Sequence, residues 1–252
     1  MSAHPLLEVR GLVKRFGGLV ATDRASLAIR AGEVHAVIGP NGAGKTTLIH
    51  QLSGALRPDA GRILLDGADI TSLTMHERVR RGIVRSYQIT SIFPRLPVLD
   101  NIALAIQARD GGGLGLWTTA RAGRARYDEA AAVAGQVALA SRLKDVAGAL
   151  AHGEQRQLEV AIALATGARL MLLDEPMAGL GAEESVRMVE LIETLGRERT
   201  ILLVEHDMDS VFRLADTIST LVSGRVVATG TPDEIRAHPE VRRAYLGDEQ
   251  EH

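Results

Sequence analysis

Cysteine is missing altogether from the 252-residue chain, which rules out disulfide staples, thiolate metal sites and cysteine nucleophiles and agrees with a reducing cytosol. Aromatic residues are few, with one tryptophan, three tyrosines and three phenylalanines, so a ring beside a flexible turn stands out. Charge of one sign is lacking too: 29 basic and 31 acidic residues leave a formal net charge of -2. That balance offers nucleic acid no global basic surface, and such a partner would need a local patch. Long apolar runs are absent as well. Leu170–Leu173 and Ile201–Val204 are strand-sized, far short of the ~20 residues that span a bilayer. The opening Met1-Ser2-Ala3-His4-Pro5 has neither the basic nor the apolar segment of a secretory signal. Any membrane role is therefore expected to be exercised from the side. The 46% hydrophobic and 24% charged content is that of an ordinary globular chain with a sizeable core.

Glycine is plentiful, at 26 residues, and one glycine-rich stretch organises the rest. Gly39-Pro40-Asn41-Gly42-Ala43-Gly44-Lys45-Thr46-Thr47 fits the phosphate-loop spacing of Gly, four free positions and Gly-Lys-Thr. The glycines let successive backbone N–H groups curl inward as an anion nest, closed by the positive end of the following helix. Lys45 brings a point charge for the β- and γ-phosphates, Thr46 a hydroxyl for magnesium, and Thr47 a further phosphate contact. Context supports the match. Glu33–Ile38 reads as a buried strand, and Lys45–Leu56 carries Leu48, Ile49, Leu52 and Leu56 at helical spacing. Such a loop serves kinases, GTPases and transport motors alike.

Upstream, Leu7–Val9, Ala25–Ile29 and Arg62–Leu65 alternate between turn residues and predict a small antiparallel sheet. Phe16 precedes Gly17-Gly18; its face suits an adenine ring, while packing is the commoner use of such a residue. Thr74 to about Arg85 has helical spacing, and Tyr87-Gln88-Ile89 ends a short strand. From about Ile92 to Leu164 the pattern is helical, with helices opening at Leu99, over Tyr127–Leu139 and over Glu154–Ala165. Gln107–Arg126, glycine- and arginine-rich around Trp117, reads as a solvated connector or, second, a partner contact. Then Arg169–Glu175, Ala182–Leu195 and Thr200–His206 alternate as strand, helix and strand, the signature of a parallel sheet covered on both faces. Ligands of such sheets bind at the carboxyl ends of the strands, where Gly39, Asp174, Glu175 and His206 fall. A hairpin over Ile218–Val222 and Arg225–Ala228 is followed by Thr231-Pro232-Asp233-Glu234, a capping box that opens a helix.

Hydrolysis of a nucleoside triphosphate needs a phosphate cradle, magnesium, an oriented water and a group that senses the γ-phosphate. Asp174 is placed to hold magnesium, and Glu175, one residue on, to act as general base on the water. Alone, an Asp-Glu pair at a strand end is as often a cap or a surface pair; the loop upstream favours the chemical reading. Gln88 and His206 are weaker candidates by themselves, since a lone glutamine is normally at the surface and a lone histidine normally satisfied by backbone.

The set as a whole resembles the ATP-binding subunit of an ABC transporter, from about Leu7 to Leu246. Phe16, Gly39–Thr47, Gln88, Leu150-Ala151-His152-Gly153-Glu154-Gln155-Arg156 at the signature position, Leu170–Glu175 and His206 match the motifs of that family in order. Val204–Asp209 and Ala244-Tyr245-Leu246-Gly247 resemble the importers of branched-chain, hydrophobic amino acids. The resemblance implies an α/β fold of the P-loop, ABC ATPase type: a mostly parallel core sheet, a small antiparallel β subdomain and an inserted helical subdomain. One domain is expected over 6–248, with the β subdomain and core in 6–90 and 166–230, the helical subdomain in 91–165 and a helical extension in 231–248. It implies ATP and Mg2+ as cofactors, the metal held by Thr46, Gln88 and Asp174. Glu175, His206 and Gln88 take the catalytic roles, and Phe16 and Gly39–Thr47 bind nucleotide. Ala151, His152, Gly153 and Glu154 would act in trans, on the nucleotide of a second ATP-binding subunit, identical or a sister chain. Further partners are integral permease subunits and, indirectly, a solute-binding protein, with no nucleic acid; the place is the cytoplasmic face of the cell membrane. Motion is implied to pass through the helical subdomain and the Gln88 region.

Two positions depart from the family pattern. Leu-Ala-His-Gly-Glu stands where Leu-Ser-Gly-Gly-Gln is usual, so Ala151 lacks the serine hydroxyl, and Gly181 stands where many relatives carry aspartate. Weaker, not abolished, binding across the dimer is expected, since the helix N-terminus and the Gly153 backbone still favour an anion. A soluble ABC-type ATPase of nucleic-acid or translation processes is the alternative, though paired cassettes, long insertions or a basic surface would mark it. A regulatory module with weak turnover is a third reading, motivated by Ala151 and Gly181.

Overall fold

The computed structural model describes residues 4–86, 92–111 and 120–246. In chain order it forms β1 (Leu7–Phe16), β2 (Leu19–Ile29), β3 (Val34–Ile38), α1 (Lys45–Ser53), β4 (Ala60–Leu65), β5 (Ala68–Asp69), α2 (Met75–Arg80), β6 (Ile83–Ser86), α3 (Val98–Arg109) and α4 (Ala120–Gln136). There follow α5 (His152–Ala165), β7 (Leu170–Asp174), α6 (Ala182–Gly196), β8 (Thr200–Val204), α7 (Met208–Leu214), β9 (Thr217–Val222), β10 (Arg225–Gly230), α8 (Pro232–Ala237) and α9 (Pro239–Leu246).

The strands make two sheets, ordered β2-β1-β4-β5 and β10-β9-β3-β8-β7-β6. The first is antiparallel, and its register shifts between Val9 and Arg15 mark irregularities that bend β1. In the second, β6, β7, β8, β3 and β9 run parallel, and only β10 returns antiparallel. β3, β7 and β8 are buried at every residue, as strands covered on both faces must be. Alternation along them assigns the layers. Met171, Leu173, Ile201 and Leu203 share one core with Leu158 of α5 and Met188 and Ile192 of α6. Leu170, Leu172, Leu202 and Val204 face the other way, toward Leu48, Ile49 and Leu52 of α1 and Leu7, Leu12 and Ile29 of the first sheet. The phosphate-loop helix is thus sandwiched between the sheets, and α3, α4 and α5 are inserted between β6 and β7.

Several element ends differ from the sequence reading. The helix after the phosphate loop stops at Ser53 because Gly54 takes φ +81° and its N–H bonds back to Gln51. The span from Thr74 is not one helix: α2 ends at Arg80, and Gly82, at φ +88°, turns the chain into β6, its carbonyl accepting the N–H groups of Arg169 and Leu170. Arg85 therefore lies in a strand. α4 starts at Ala120, earlier than expected, because alanine and arginine are strong helix formers. β8 ends at Val204, two residues before His206. The strand end expected at Tyr87-Gln88-Ile89 and Trp117 lie outside the described residues.

Candidate active site

β3, fully buried, delivers Gly39 at its carboxyl end. A Cβ on Gly39 would lie 2.1 Å from the carbonyl oxygen of Leu221, and one on Gly44, at φ +102°, 2.1 Å from that of Ala21. Glycine at both positions is thus a steric requirement. The loop is braced inside by the Ala43 N–H on the Pro40 oxygen (3.2 Å) and outside by the Gly224 N–H on the Ala43 oxygen (2.9 Å). Gly44 is the N-cap of α1 and supplies no side-chain acceptor, which leaves the donors of the first turn for an anion. Lys45 is buried and lies across the loop, its Nζ donating to the oxygens of Gly39 (2.7 Å) and Pro40 (3.1 Å). Burial pushes the Lys45 pKa down, against the pull of the Glu175 and Asp174 charges. Thr46 is exposed and Thr47 half-buried beside it.

The acidic half of the site comes from the neighbouring strands. Asp174 ends β7 and is buried, its Oδ2 accepting from a guanidinium nitrogen of Arg85 on β6 at 2.5 Å. Glu175 follows at φ +48°, a left-handed backbone unusual for its residue type. Its N–H donates to the carbonyl of Val204 at 2.8 Å, which ties the turn to the end of β8. The His206 Nδ1 lies 3.9 Å from Glu175 Oε1 and 3.8 Å from Glu205 Oε2. Glu205 is buried, accepting the N–H groups of Met177 (3.0 Å) and His206 (3.1 Å). Burial pushes its pKa up, and those two N–H groups oppose the shift. Phe16 is 49% exposed at the tip of the β1–β2 hairpin, which reaches the loop through Ala21. The Lys14 ammonium sits 5.7 Å from its ring centroid and is anchored on Asp59 at 2.7 Å.

The signature segment opens α5. Ala151 is its N-cap without a side-chain acceptor, and Glu154 turns back to take the Ala151 N–H at 3.1 Å. The Gly153 N–H, expected to attract an external anion, donates to Glu184 Oε1 at 3.2 Å. Among the described residues, no hydrogen bond or ion pair joins Ala151–Glu154 to Gly39–Thr47. Of the residues singled out in the sequence, Gly39–Thr47, Asp174, Glu175 and His206 gather at the carboxyl ends of β3, β7 and β8, and Gln88 lies outside the described residues. Arg85, Glu205 and Glu184 were missed. Their signal is faint: a charge at the end of an apolar run for Arg85 and Glu205, and one acid among others in a helix's first turn for Glu184.

The donor set fits a hard cation: the Thr46 hydroxyl and a carboxylate of Asp174 offer the one or two protein oxygens that magnesium takes alongside phosphate and water. Among the described residues, no group of three His, Cys, Asp or Glu side chains forms a cage of its own.

Comparison with known proteins agrees with this geometry. Residues 22–178 match the family model described as ABC transporter, and residues 225–251 that of the branched-chain amino acid ATP-binding cassette transporter. The chain is 39% identical, over 98% of its length and 99% of the relative's, to the high-affinity branched-chain amino acid transport ATP-binding protein BraF of Pseudomonas aeruginosa. It is 40% identical, with the same coverage, to the corresponding protein LivG of Salmonella typhimurium. Among solved structures, the ADP conformation of MJ1267, an ATP-binding cassette of an ABC transporter, superposes with a TM-score of 0.83 at 27% identity, covering 96% of this chain and 99% of that one. CbiO1 of Clostridium perfringens, part of the cbiONQ transporter complex, gives 0.79 at 26% identity, covering 95% of this chain and 94% of that one. The phosphate loop, the strand-end carboxylates and the match across 22–178 meet in one conclusion: the chain belongs to the ABC transporter family, as one of its ATP-binding cassettes.

Proposed function

We propose that this chain is the ATP-hydrolysing subunit of an importer for branched-chain amino acids or similar small solutes. The observation that carries the chemistry is the meeting of Lys45, Asp174, Glu175 and His206 at the carboxyl ends of three adjacent parallel strands. The substrate class is supported by the match of residues 225–251 and by the branched-chain amino acid transport for which BraF and LivG are named.

In this reading the nest of Gly39–Thr47 and the Lys45 ammonium hold the β- and γ-phosphates, and Phe16 offers a face to adenine. To reach phosphate, Lys45 exchanges its present carbonyl partners for the more strongly bonding anion. Magnesium, when bound through Thr46 and Asp174, neutralises phosphate charge. Glu175 takes a proton from water as the oxygen bonds to the γ-phosphorus; the bond to the β-phosphate oxygen breaks, and ADP and phosphate leave. His206, beside Glu175, donates to the γ-phosphate, and Gln88 assists at the metal or the water. Two cassettes enclose two nucleotides, each phosphate loop facing Ala151–Glu154 of the other chain. Closure on ATP and reopening after hydrolysis drive permease subunits at the cytoplasmic face of the membrane, fed by a solute-binding protein. The domain spans 6–248 with its helical part in 91–165. The test is transport in vesicles that hold this chain, its permease and its binding protein. ATP-dependent uptake of leucine or a related solute is expected; hydrolysis uncoupled from any such solute would reject the substrate class.

A further inference from the structure

Glu184, in the first turn of α6, spends its carboxylate on backbone donors from two segments. Oε2 accepts the N–H of Gly181, the N-cap of its own helix, at 3.2 Å, and Oε1 accepts the N–H of Gly153, in the first turn of α5, at 3.2 Å. These two donors hold the Glu184 carboxyl below its ordinary pKa, so it is an anion at neutral pH. Space is tight: a Cβ on Gly153 would lie 2.8 Å from Oε1. Ala151 has no hydroxyl and its N–H is already taken by Glu154, which leaves the backbone N–H groups of His152 and Glu154 as the other donors of the turn. A negative group of the same chain therefore stands on a donor that α5 would otherwise present to phosphate.

We propose that Glu184 is a placeholder anion, which holds the Gly153 N–H in the free chain and is displaced when the γ-phosphate of ATP on a second copy takes that donor. The inference rests on the reading of Ala151–Glu154 as the segment that meets the partner's nucleotide. One N–H carries one proton and cannot serve both acceptors at full strength, and a carboxylate and a phosphate crowded on the same donor repel each other. Closure then requires Glu184 to let go, which sets a threshold on ATP. Loss of phosphate lets the carboxylate return and favours reopening. Because the other oxygen is bound to Gly181, in the segment that follows Glu175, the exchange at Gly153 is transmitted toward the catalytic turn of the same chain.

The test is ATP-dependent dimerisation followed by sedimentation velocity in a Glu175→Gln background, where hydrolysis does not drain the dimer. Adding Glu184→Ala is expected to lower the ATP concentration for half-maximal dimer about tenfold, the scale of one charge-assisted hydrogen bond. Glu184→Gln, which keeps a carbonyl oxygen for Gly153 but no charge, should fall between. An unchanged or raised ATP requirement, with ATP affinity of the monomer intact, would make Glu184 a mere strap and overturn the proposal. If the Glu175→Gln parent itself forms no ATP-dependent dimer, the facing-segment reading fails first and takes the placeholder with it. Should the Glu184 variants not fold, hydrogen exchange in the unsubstituted chain decides. The Gly153 amide is expected to be protected without nucleotide, and free exchange there would refute the placeholder.

Discussion

Glu175 is held by unusual means for a residue that must take a proton from water. Its φ of +48° costs a non-glycine residue about 1 kcal/mol or more, a strain sustained by the bond from its N–H to Val204. Glutamine at this position keeps the volume and the backbone and removes the base. Glu175→Gln is therefore expected to lower steady-state ATP hydrolysis at least ~100-fold, with ATP affinity retained in a fluorescence titration; unchanged turnover would take Glu175 out of the mechanism. Lys45 acts on the other quantity. Its ammonium is poised on two carbonyls of the loop, and Lys45→Ala removes a charged donor worth about 1.5–3 kcal/mol to phosphate. Binding should weaken by about one to two orders of magnitude in the same titration. Gly44 is a third kind of residue, needed for its missing side chain. In Gly44→Ala a Cβ would stand 2.1 Å from the Ala21 oxygen at φ +102°. A stability loss above ~1 kcal/mol in chemical denaturation, together with lost ATP binding, is the expected outcome.

At the scale of elements, the turn between β7 and α6 governs the site. It starts at Glu175, is bonded by Glu205 at Met177 and ends at Gly181 on Glu184. Glu205→Ala leaves the buried N–H of Met177 and the part-buried N–H of His206 without their carboxylate. A loss of about 2–4 kcal/mol is expected, read by urea denaturation. Turnover should fall while KM for ATP barely moves, because the phosphate loop hangs on β3 and α1 and not on Glu205. A rise in KM with unchanged turnover would contradict this division. Asp174, Glu175 and His206 were legible in the sequence because apolar runs that end in polar residues mark strand ends, where parallel sheets bind ligands. Glu205 and Arg85 were not. A charge beside an apolar run reads as a surface group, and only the parallel pairing of β6, β7 and β8 puts Arg85 against Asp174 and seals Glu205 under the turn. Glu184 reads as one more acid in the first turn of an amphipathic helix. Its reach to Gly153 depends on how α6 packs on α5, which no local pattern records. Likewise Ala120–Arg126 read as a connector because of the glycines before it, although its own composition favours helix.

At the scale of the whole molecule, the proposed importer role makes attachment to a membrane a matter of partners. No helix among the described residues is long and apolar enough to cross a bilayer, and a net charge of -2 offers an anionic lipid surface no global basic face. If the chain drives an importer, its recruitment depends on permease subunits. Produced together with the permease subunits from its own gene neighbourhood, it is expected to sediment with membranes and to co-purify with them in detergent. Produced without them, it should stay in the supernatant after ultracentrifugation. Salt sharpens the reading, because contacts with lipid head groups made by charge alone weaken when the Debye length shrinks from about 8 Å at physiological salt to about 3 Å at 1 M, whereas a packed protein interface persists. Membrane association that is independent of permease and lost at 1 M salt would point to lipid instead. Retention on nucleic acid with no permease dependence would move the chain to the soluble ABC-type ATPases, leaving its ATP site intact and its importer role refuted.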